Sequence, residues 1–192
     1  MTSPIRILGL GGSVRAESIN KRLLERMLAT AETMGAETQM ADVHSMDLPI
    51  FNQYIPLEEQ PEKLMWLIEE MKRADGFIIC SPTYLGSLTG AVKNTLDSLH
   101  IAHGEPRVYF DGRPVALSTF GFYGQMNVIN SMAFVTRVMG ATVVPESLIV
   151  SADEEDVDAE ILDSEAVEQQ MTRTVAQLIG MAREFRIASG IR

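Results

Sequence analysis

Apolar positions along the chain switch between short, nearly continuous runs and longer stretches with helical spacing. Residues 5–10 and 77–80 are runs of the first kind, which is typical of strands buried on both faces of a parallel sheet. Residues 19–31 repeat apolar side chains every three or four positions and predict an amphipathic helix that ends near Gly35. Residues 36–42 predict a weaker second strand.

The rest of the chain continues this alternation. The predicted elements are an ordered loop at 43–60, a helix opened by Pro61, the strand at 77–80, a helix carrying Lys93, Asn94 and Asp97, a strand at 114–119, a helix up to Gly140, a strand at 142–150 and a helix at about 160–186. Pro145 indicates that the fifth strand lies at an edge or contains a bulge. The order βαβαβαβαβα predicts an α/β domain, a three-layer doubly wound sheet of five parallel strands.

The turn between the first strand and the first helix, residues 9–20, has the chemistry of a phosphate site. A helix N-terminus offers unpaired N–H groups, Ser13 and Ser18 offer hydroxyls, and Arg15 offers a planar cation. The glycine spacing matches neither the P-loop nor the dinucleotide fingerprint, which favours a monophosphate over a pyrophosphate. The alternative is a solvated loop in which Ser18 only caps the helix.

Two further small-residue loops follow the third and fourth strands. In open α/β sheets ligands bind beyond the carboxyl ends of the strands, so these loops should meet the first one there. Tyr84 and Leu85 in the second loop offer apolar surface for a flat ring. Lys93 and Asp97 are four residues apart on a predicted helix, so we expect an ion pair rather than catalytic groups. Cys80 lies at the end of a buried strand, so we expect it to be an inert core residue rather than a nucleophile.

Composition narrows the classes of partner. The chain has 192 residues, read as one domain over 1–192, and its net charge of −10 argues against a nucleic acid or an anionic membrane as main partner. One cysteine excludes an intrachain disulfide, and the N-terminus lacks the apolar stretch of a signal peptide, so we expect a cytoplasmic protein. His100 and His103 have no third ligand nearby, so no metal site is expected.

Two motifs carry a family resemblance. The pattern Gly-Ser-x-Arg-x-x-Ser-x-Asn at 12–20, with Pro-x-Tyr-x-Gly-Ser and Gly-x-x-Lys-Asn-x-x-Asp within 82–97, resembles the NAD(P)H-dependent FMN reductase family. The resemblance extends from Ile5 to about Val150. It implies a flavodoxin-like, FMN-binding domain with strand order 2-1-3-4-5 and a homodimer or homotetramer with the flavin near a subunit interface.

The resemblance also implies site residues, all of them cofactor-binding. The FMN phosphate would be held by Ser13, Arg15, Ser18, Ile19 and Asn20. The isoalloxazine would lie along Pro82, Thr83, Tyr84, Leu85, Gly86 and Ser87, with the third loop, including Thr119 and Gly121, on its other side. Many relatives have an acidic residue and an asparagine where Thr83 and Leu85 stand, and a Gly-Gly pair where the third loop has Gly121-Phe122-Tyr123-Gly124.

The implied activity is that of an oxidoreductase with FMN and NAD(P)H. Hydride would pass from NAD(P)H to N5 of FMN, and electrons would then pass to free flavin, a quinone, an azo or nitro compound, or a metal oxyanion. No catalytic side chain is expected. The alternatives are a flavodoxin-like electron carrier without nicotinamide turnover, which the acidity suits, and a flavin-free regulatory or scaffold subunit.

Overall fold

The computed structural model describes residues 3–152 and 159–190, so most of the acidic run at 153–160 lies outside it. The strands are β1 (Arg6–Gly11), β2 (Glu37–Asp42), β3 (Gly76–Cys80), β4 (Thr83–Tyr84), β5 (Ser87–Leu88), β6 (Pro114–Gly121), β7 (Thr142–Val143) and β8 (Leu148–Ser151). The helices are α1 (Ile19–Thr33), α2 (Val43–Met46), α3 (Glu62–Arg73), α4 (Gly90–Ser98), α5 (Gln125–Val138) and α6 (Glu165–Ala188).

The main sheet is parallel and runs in the order β2-β1-β3-β6-β7, with β8 also paired to β6. β7 pairs with the first two residues of β6, and β8 pairs with its last four. These two short strands therefore fill one fifth position, interrupted around Pro145. Because proline has no N–H to donate to the ladder, the interruption falls where the sequence predicted an edge or bulge. The predicted order 2-1-3-4-5 is confirmed.

Helices cover both faces of the sheet and give the predicted three layers. One core lies between the sheet and helices α1 and α6, and it includes Leu24, Ile78 and Leu178. The other lies between the sheet and helices α3, α4 and α5, and it includes Leu67 and Met132. β3 is buried along its whole length, as its continuous apolar run predicted, and β6 is buried along its whole length as well.

Two segments read as loops contain regular structure. The predicted loop at 43–60 begins with the single turn α2, whose N-cap Asp42 accepts hydrogen bonds from the N–H groups of His44 and Ser45. Asp42 also pairs with Lys21 at 3.3 Å, so this carboxylate is engaged within the chain. The second small-residue loop folds into the hairpin β4–β5, which lies outside the main sheet.

The Phe-Asp-Gly-Arg-Pro turn before β6 contains a buried arginine that the sequence pattern did not single out. Arg113 is fully buried, and its guanidinium lies 4.8 Å from the ring centroid of Phe77. Burial lowers the pKa of Arg113 to about 9, so it remains a cation at neutral pH. The guanidinium donates hydrogen bonds to the carbonyl oxygens of Met71, Ala74, Arg107, Tyr109 and Phe110. It therefore ties this turn to the end of α3.

Within residues 3–152 and 159–190, no helix is long and apolar enough to cross a membrane. The same residues contain no cluster of three or more His, Cys, Asp or Glu side chains arranged to hold a metal ion. His100 and His103 stack on each other with centroids 4.6 Å apart, and His100 Nδ1 lies 2.6 Å from the Tyr109 hydroxyl. This histidine pair packs on an aromatic side chain.

Candidate functional site

The three loops at the carboxyl edge of the sheet enclose one cleft of about 310 Å³. It lies at the ends of β1, β3 and β6, where ligands of open α/β sheets bind. Its predicted site residues are Ser13, Arg15, Ser18, Ile19, Asn20, Pro82, Thr83, Tyr84 and Gly121, and its other lining residues are Glu17, Phe120, Phe122 and Tyr123. The structure thus brings together residues that lie about a hundred positions apart in the chain.

Glycines fix the start of the first loop against the sheet. Gly11 and Gly12 have φ values of 139° and 86°, both outside the range that side chains favour. The Gly12 N–H donates to the Cys80 carbonyl oxygen at 3.1 Å, which holds the end of β1 against the end of β3. A Cβ on Gly11 would lie 1.8 Å from the same oxygen. The loop can therefore take this course only with glycine at position 11.

The start of α1 presents donors that have no partner among the described residues. Ser18 is the N-cap residue, but its hydroxyl makes no capping hydrogen bond, and the first turn contains no acidic side chain. The N–H groups of that first turn have no intrahelical acceptor, and they carry the positive end of the helix dipole. Arg15 is exposed, and in the described part of the chain its guanidinium makes neither an ion pair nor a hydrogen bond. Together these groups present donors suited to an anion, and we call them the anion site.

Asn20 joins the first loop to the third. Its side-chain amide donates to the Phe120 carbonyl oxygen at 3.0 Å and accepts from the Phe120 N–H at 2.9 Å. The buried Cys80 thiol donates to the Asn20 carbonyl oxygen at 3.3 Å. The Asn20 side chain is therefore occupied in holding two walls of the cleft together.

The β4–β5 hairpin forms another wall. Its two central residues, Leu85 and Gly86, have φ values of 50° and 75°, as in a type I′ turn. A left-handed leucine costs about 1–2 kcal/mol of backbone strain. Thr83 lines the cleft, and its Oγ1 atom is buried without a hydrogen-bond partner among the described residues. This Oγ1 atom is packed against the third loop near Gly121.

The remaining predicted residues lie around the cleft rather than in its lining. Leu85 is 96% exposed at the hairpin tip, next to Gly86. The Ser87 hydroxyl bonds to the Ser131 hydroxyl at 3.4 Å. Thr119 is fully buried and donates to the Ser81 carbonyl oxygen at 2.7 Å.

Gly121 brings the third loop tightly against the hairpin. A Cβ at this position would lie 2.8 Å from Thr83 Oγ1. The two walls of the cleft therefore meet at Gly121 and Thr83.

The other candidate chemical groups are held away from reactivity. Cys80 is completely buried, and burial raises the pKa of its thiol to about 12, so it is inert at neutral pH. Lys93 and Asp97 form the predicted ion pair, with Nζ 2.7 Å from Oδ2. Asn94 instead holds the loop before α3, accepting from the Phe51 N–H and donating to the Pro49 carbonyl oxygen. Among the described residues that line the cleft, no acid or base is buried.

Comparison with known structures agrees with the fold. The flavoenzyme NAD(P)H:acceptor oxidoreductase FerB from Paracoccus denitrificans superposes with a TM-score of 0.76 at 20% identity, covering 94% of this chain and 98% of that one. A WrbA-like flavodoxin from Agrobacterium tumefaciens superposes with a TM-score of 0.65 at 13% identity, covering 95% of this chain and 99% of that one. The domain is flavodoxin-like.

Sequence comparison identifies the family. An NAD(P)H-dependent FMN reductase of Pseudomonas aeruginosa is 26% identical over 181 residues, 89% of this chain and 94% of that protein. A quinone reductase of Pseudomonas putida is 29% identical over 106 residues, 55% of this chain and 54% of that protein. An NADPH azoreductase of a Bacillus strain is 30% identical over 120 residues, 59% of this chain and 61% of that protein. The family model described as NADPH-dependent FMN reductase matches residues 5–155, which include all three loops of the cleft. The chain therefore belongs to the NADPH-dependent FMN reductase family, and it is an oxidoreductase that uses FMN and NAD(P)H.

Proposed function

We propose that the anion site at the start of α1 holds the phosphate of FMN. Ser13, Arg15 and Ser18, with the N–H groups of Ile19 and Asn20, supply hydroxyl, guanidinium and backbone donors around one point. A phosphate monoester carries close to two negative charges at neutral pH and three acceptor oxygens, which match this set of donors. The observation that supports this assignment is that the Arg15 guanidinium and the start of α1 have no partner among the described residues.

Residues of the hairpin and of the third loop would hold the isoalloxazine ring. Pro82, Thr83 and Tyr84 form one wall, and Gly121 with its neighbours forms the other. The aromatic side chains Tyr84 and Phe122 in the lining support this placement, because they suit a flat ring. Leu85 and Gly86 set the end of the hairpin, and backbone N–H groups within 83–87 would stabilise negative charge on a reduced flavin.

FMN, when bound, supplies the chemistry of taking a hydride from NAD(P)H and giving electrons to a second acceptor. The residues of this chain bind and orient the reactants. Glu17, the one carboxylate in the described lining of the cleft, is 90% exposed at its side chain and lies 3.6 Å from Arg22, so it does not serve as a buried acid or base. Asn20 and Thr119 keep the walls in register through their bonds to backbone.

The second acceptor is a small molecule that enters the same cleft after the nicotinamide leaves. The classes we propose are free flavin, quinones, azo or nitro compounds and metal oxyanions. Relatives named quinone reductase and azoreductase support acceptors with a flat conjugated system. The exposed aromatic side chains Tyr84, Phe122 and Tyr123 at the mouth of the cleft provide surface for such a ring.

An anaerobic visible spectrum of the FMN-loaded protein tests this function. Addition of NADPH or NADH should bleach the flavin absorbance, and a quinone added afterwards should restore it. The nucleotide that bleaches faster identifies the preferred donor. A bound flavin that neither nucleotide reduces would contradict the proposal and point to an electron carrier. Protein that binds no FMN would contradict the assignment of the cleft itself.

The protein acts as a homo-oligomer, and the exposed side of α5 is the surface that associates. Met126, Phe134 and Val138 are 59%, 70% and 72% exposed and lie at intervals of four or eight residues, so they form one apolar stripe along the helix. The stripe begins beside the third loop, which places the partner subunit near the mouth of the cleft. A dimer or tetramer in the cytoplasm, where the single cysteine stays reduced, fits these features.

Replacement of Phe134 with serine should weaken self-association about tenfold, because a large aromatic anchor at the centre of an interface contributes at least ~1 kcal/mol. Analytical ultracentrifugation over a concentration series measures the change. Ile187, 73% exposed on α6, provides the control Ile187→Ser. Equal dissociation constants for wild type and Phe134→Ser would exclude the α5 stripe as the interface.

A further inference from the structure

The tip of the β4–β5 hairpin carries a leucine in a conformation that leucine disfavours. Type I′ turns require positive φ at both central residues and prefer Asn, Asp or Gly at the first of them, where this chain has Leu85 at φ 50°. The Leu85 side chain is 96% exposed, so no contact within the described chain offsets the strain. The Leu85 side chain therefore serves a contact with a molecule outside the chain.

Leu85 stands at the mouth of the cleft. The neighbouring Gly86 packs against the third loop, since a Cβ on Gly124 would lie 3.3 Å from the Gly86 Cα. Leu85 precedes Gly86 and Tyr123 precedes Gly124. The contact between the two glycines therefore places Leu85 and Tyr123 at the same part of the cleft mouth. We call Tyr84, Leu85, Phe122 and Tyr123 the apolar rim; they are 50%, 96%, 41% and 58% exposed.

The apolar rim carries no charge. The hairpin at 83–88 and the third loop at 119–125 contain no acidic or basic residue, although the whole chain has a net charge of −10. In the described lining of the cleft the charged side chains are Arg15 and Glu17. Arg15 is engaged by the phosphate in the proposed function, and Glu17 repels anions. An acceptor on the rim therefore meets apolar surface and no available cation.

We infer that the apolar rim makes this enzyme select uncharged aromatic acceptors over anionic acceptors with the same ring system, and that Leu85 determines this selectivity. The inference rests on the proposed function, because the acceptor must reach the flavin cleft. An uncharged ring removes the rim side chains from water, which is favourable. An anionic group at the same place loses hydration and meets no cation, because the Tyr84 and Tyr123 hydroxyls are neutral donors that an uncharged quinone can also use.

A matched pair of acceptors tests the inference: 1,4-naphthoquinone and 1,4-naphthoquinone-2-sulfonate. The kcat/KM for each is measured with FMN-loaded wild type, Leu85→Asn and Leu85→Lys, with rates expressed per bound FMN. The ratio of the two kcat/KM values is compared between variants, because this comparison cancels the difference in intrinsic reactivity of the two quinones. Ile187→Asn, an exposed aliphatic residue on α6 rather than on the rim, is the control.

Leu85→Asn should lower the ratio of kcat/KM for the uncharged quinone to kcat/KM for the sulfonate about fivefold. Leu85→Lys should raise kcat/KM for the sulfonate about fivefold. Because asparagine suits the turn, Leu85→Asn should also melt about 2 °C higher, which shows that the hairpin is intact.

An unchanged ratio of kcat/KM for the two quinones in both variants would overturn the inference while leaving the proposed function in place. A shift in sedimentation instead of kinetics would overturn it in favour of a second subunit as the occupant of the rim. Failure of wild type to reduce either quinone, with FMN bound and reduced nucleotide present, would overturn the proposed function together with the inference.

Discussion

Replacing Arg15 with alanine should weaken FMN binding about 10- to 150-fold while leaving the fold intact. A hydrogen bond to a charged group contributes about 1.5–3 kcal/mol, which corresponds to that range of affinity. The guanidinium is exposed and makes no bond within the described chain, so its removal costs no folded-state contact. Quenching of FMN fluorescence during titration with the apoprotein measures the dissociation constant.

The control for this experiment removes the same charge from α1, the helix that follows the loop of Arg15. Arg26 lies two turns into α1 and pairs with Asp163 rather than facing the cleft. Arg26→Ala changes the net charge by the same amount, so any effect of overall charge on an anionic ligand appears in both variants. We expect the dissociation constant of Arg26→Ala for FMN to stay within about threefold of wild type, because exposed ion pairs contribute little.

The salt dependence of FMN affinity distinguishes the loss of a direct phosphate contact from a general distortion of the site. Charge pairs at a partly exposed site weaken as ionic strength rises. Wild type should therefore lose more FMN affinity than Arg15→Ala between low and high sodium chloride. Equal affinities of wild type and Arg15→Ala for FMN would show that the phosphate is held elsewhere, and the assignment of Ser13 and Ser18 to the same anion would fall with it.

The fold was predictable because its signals are local in the sequence. Continuous apolar runs mark β1 and β3, and helical repeats mark the helices that follow the strands. The first loop was predictable for the same reason: its glycines, hydroxyls and arginine lie within residues 9–20. The predicted positions of these elements on the sheet are confirmed by the strand order.

The roles of several polar residues were not predictable because their partners are distant in the chain. Asn20 was expected to contact phosphate, yet its side-chain amide pairs with the backbone of Phe120, one hundred residues away. Arg113 sits in a segment that reads as a polar turn, and its burial depends on the end of α3, about forty residues earlier. Only the folded arrangement shows which carbonyl oxygens lack partners and attract such side chains.

The hairpin was missed because its turn residue breaks the usual rule. A two-residue turn with asparagine and glycine between short strands is a strong hairpin signal, and this chain has Leu85-Gly86 instead. The same exception leaves an apolar side chain exposed beside the cleft. A local rule broken at a site is a reason to look for function there.

Gly11→Ala should destabilise the protein by about 3–6 kcal/mol, a large part of the stability of an ordinary domain. Two effects add. The φ of 139° at Gly11 is strained for alanine, and the new Cβ would lie 1.8 Å from the Cys80 carbonyl oxygen. That oxygen belongs to the backbone of β3, so it cannot rotate away as a side chain would. Relief requires separating the ends of two central strands and breaking the bond from the Gly12 N–H.

Gly35→Ala separates the two effects. Gly35 also has a positive φ, 84°, but nothing lies within 4 Å of the position that a Cβ would occupy there, so only the backbone strain of about 1–2 kcal/mol applies. Urea denaturation of both variants measures the difference, which isolates the clash at the strand ends. Because the first loop begins at Gly11, any folded Gly11→Ala protein should also bind FMN more weakly than Gly35→Ala does. Equal urea midpoints for the two variants would mean that the ends of β1 and β3 can separate without loss of stability. The conclusion that the first loop is fixed rigidly against the sheet would then be wrong.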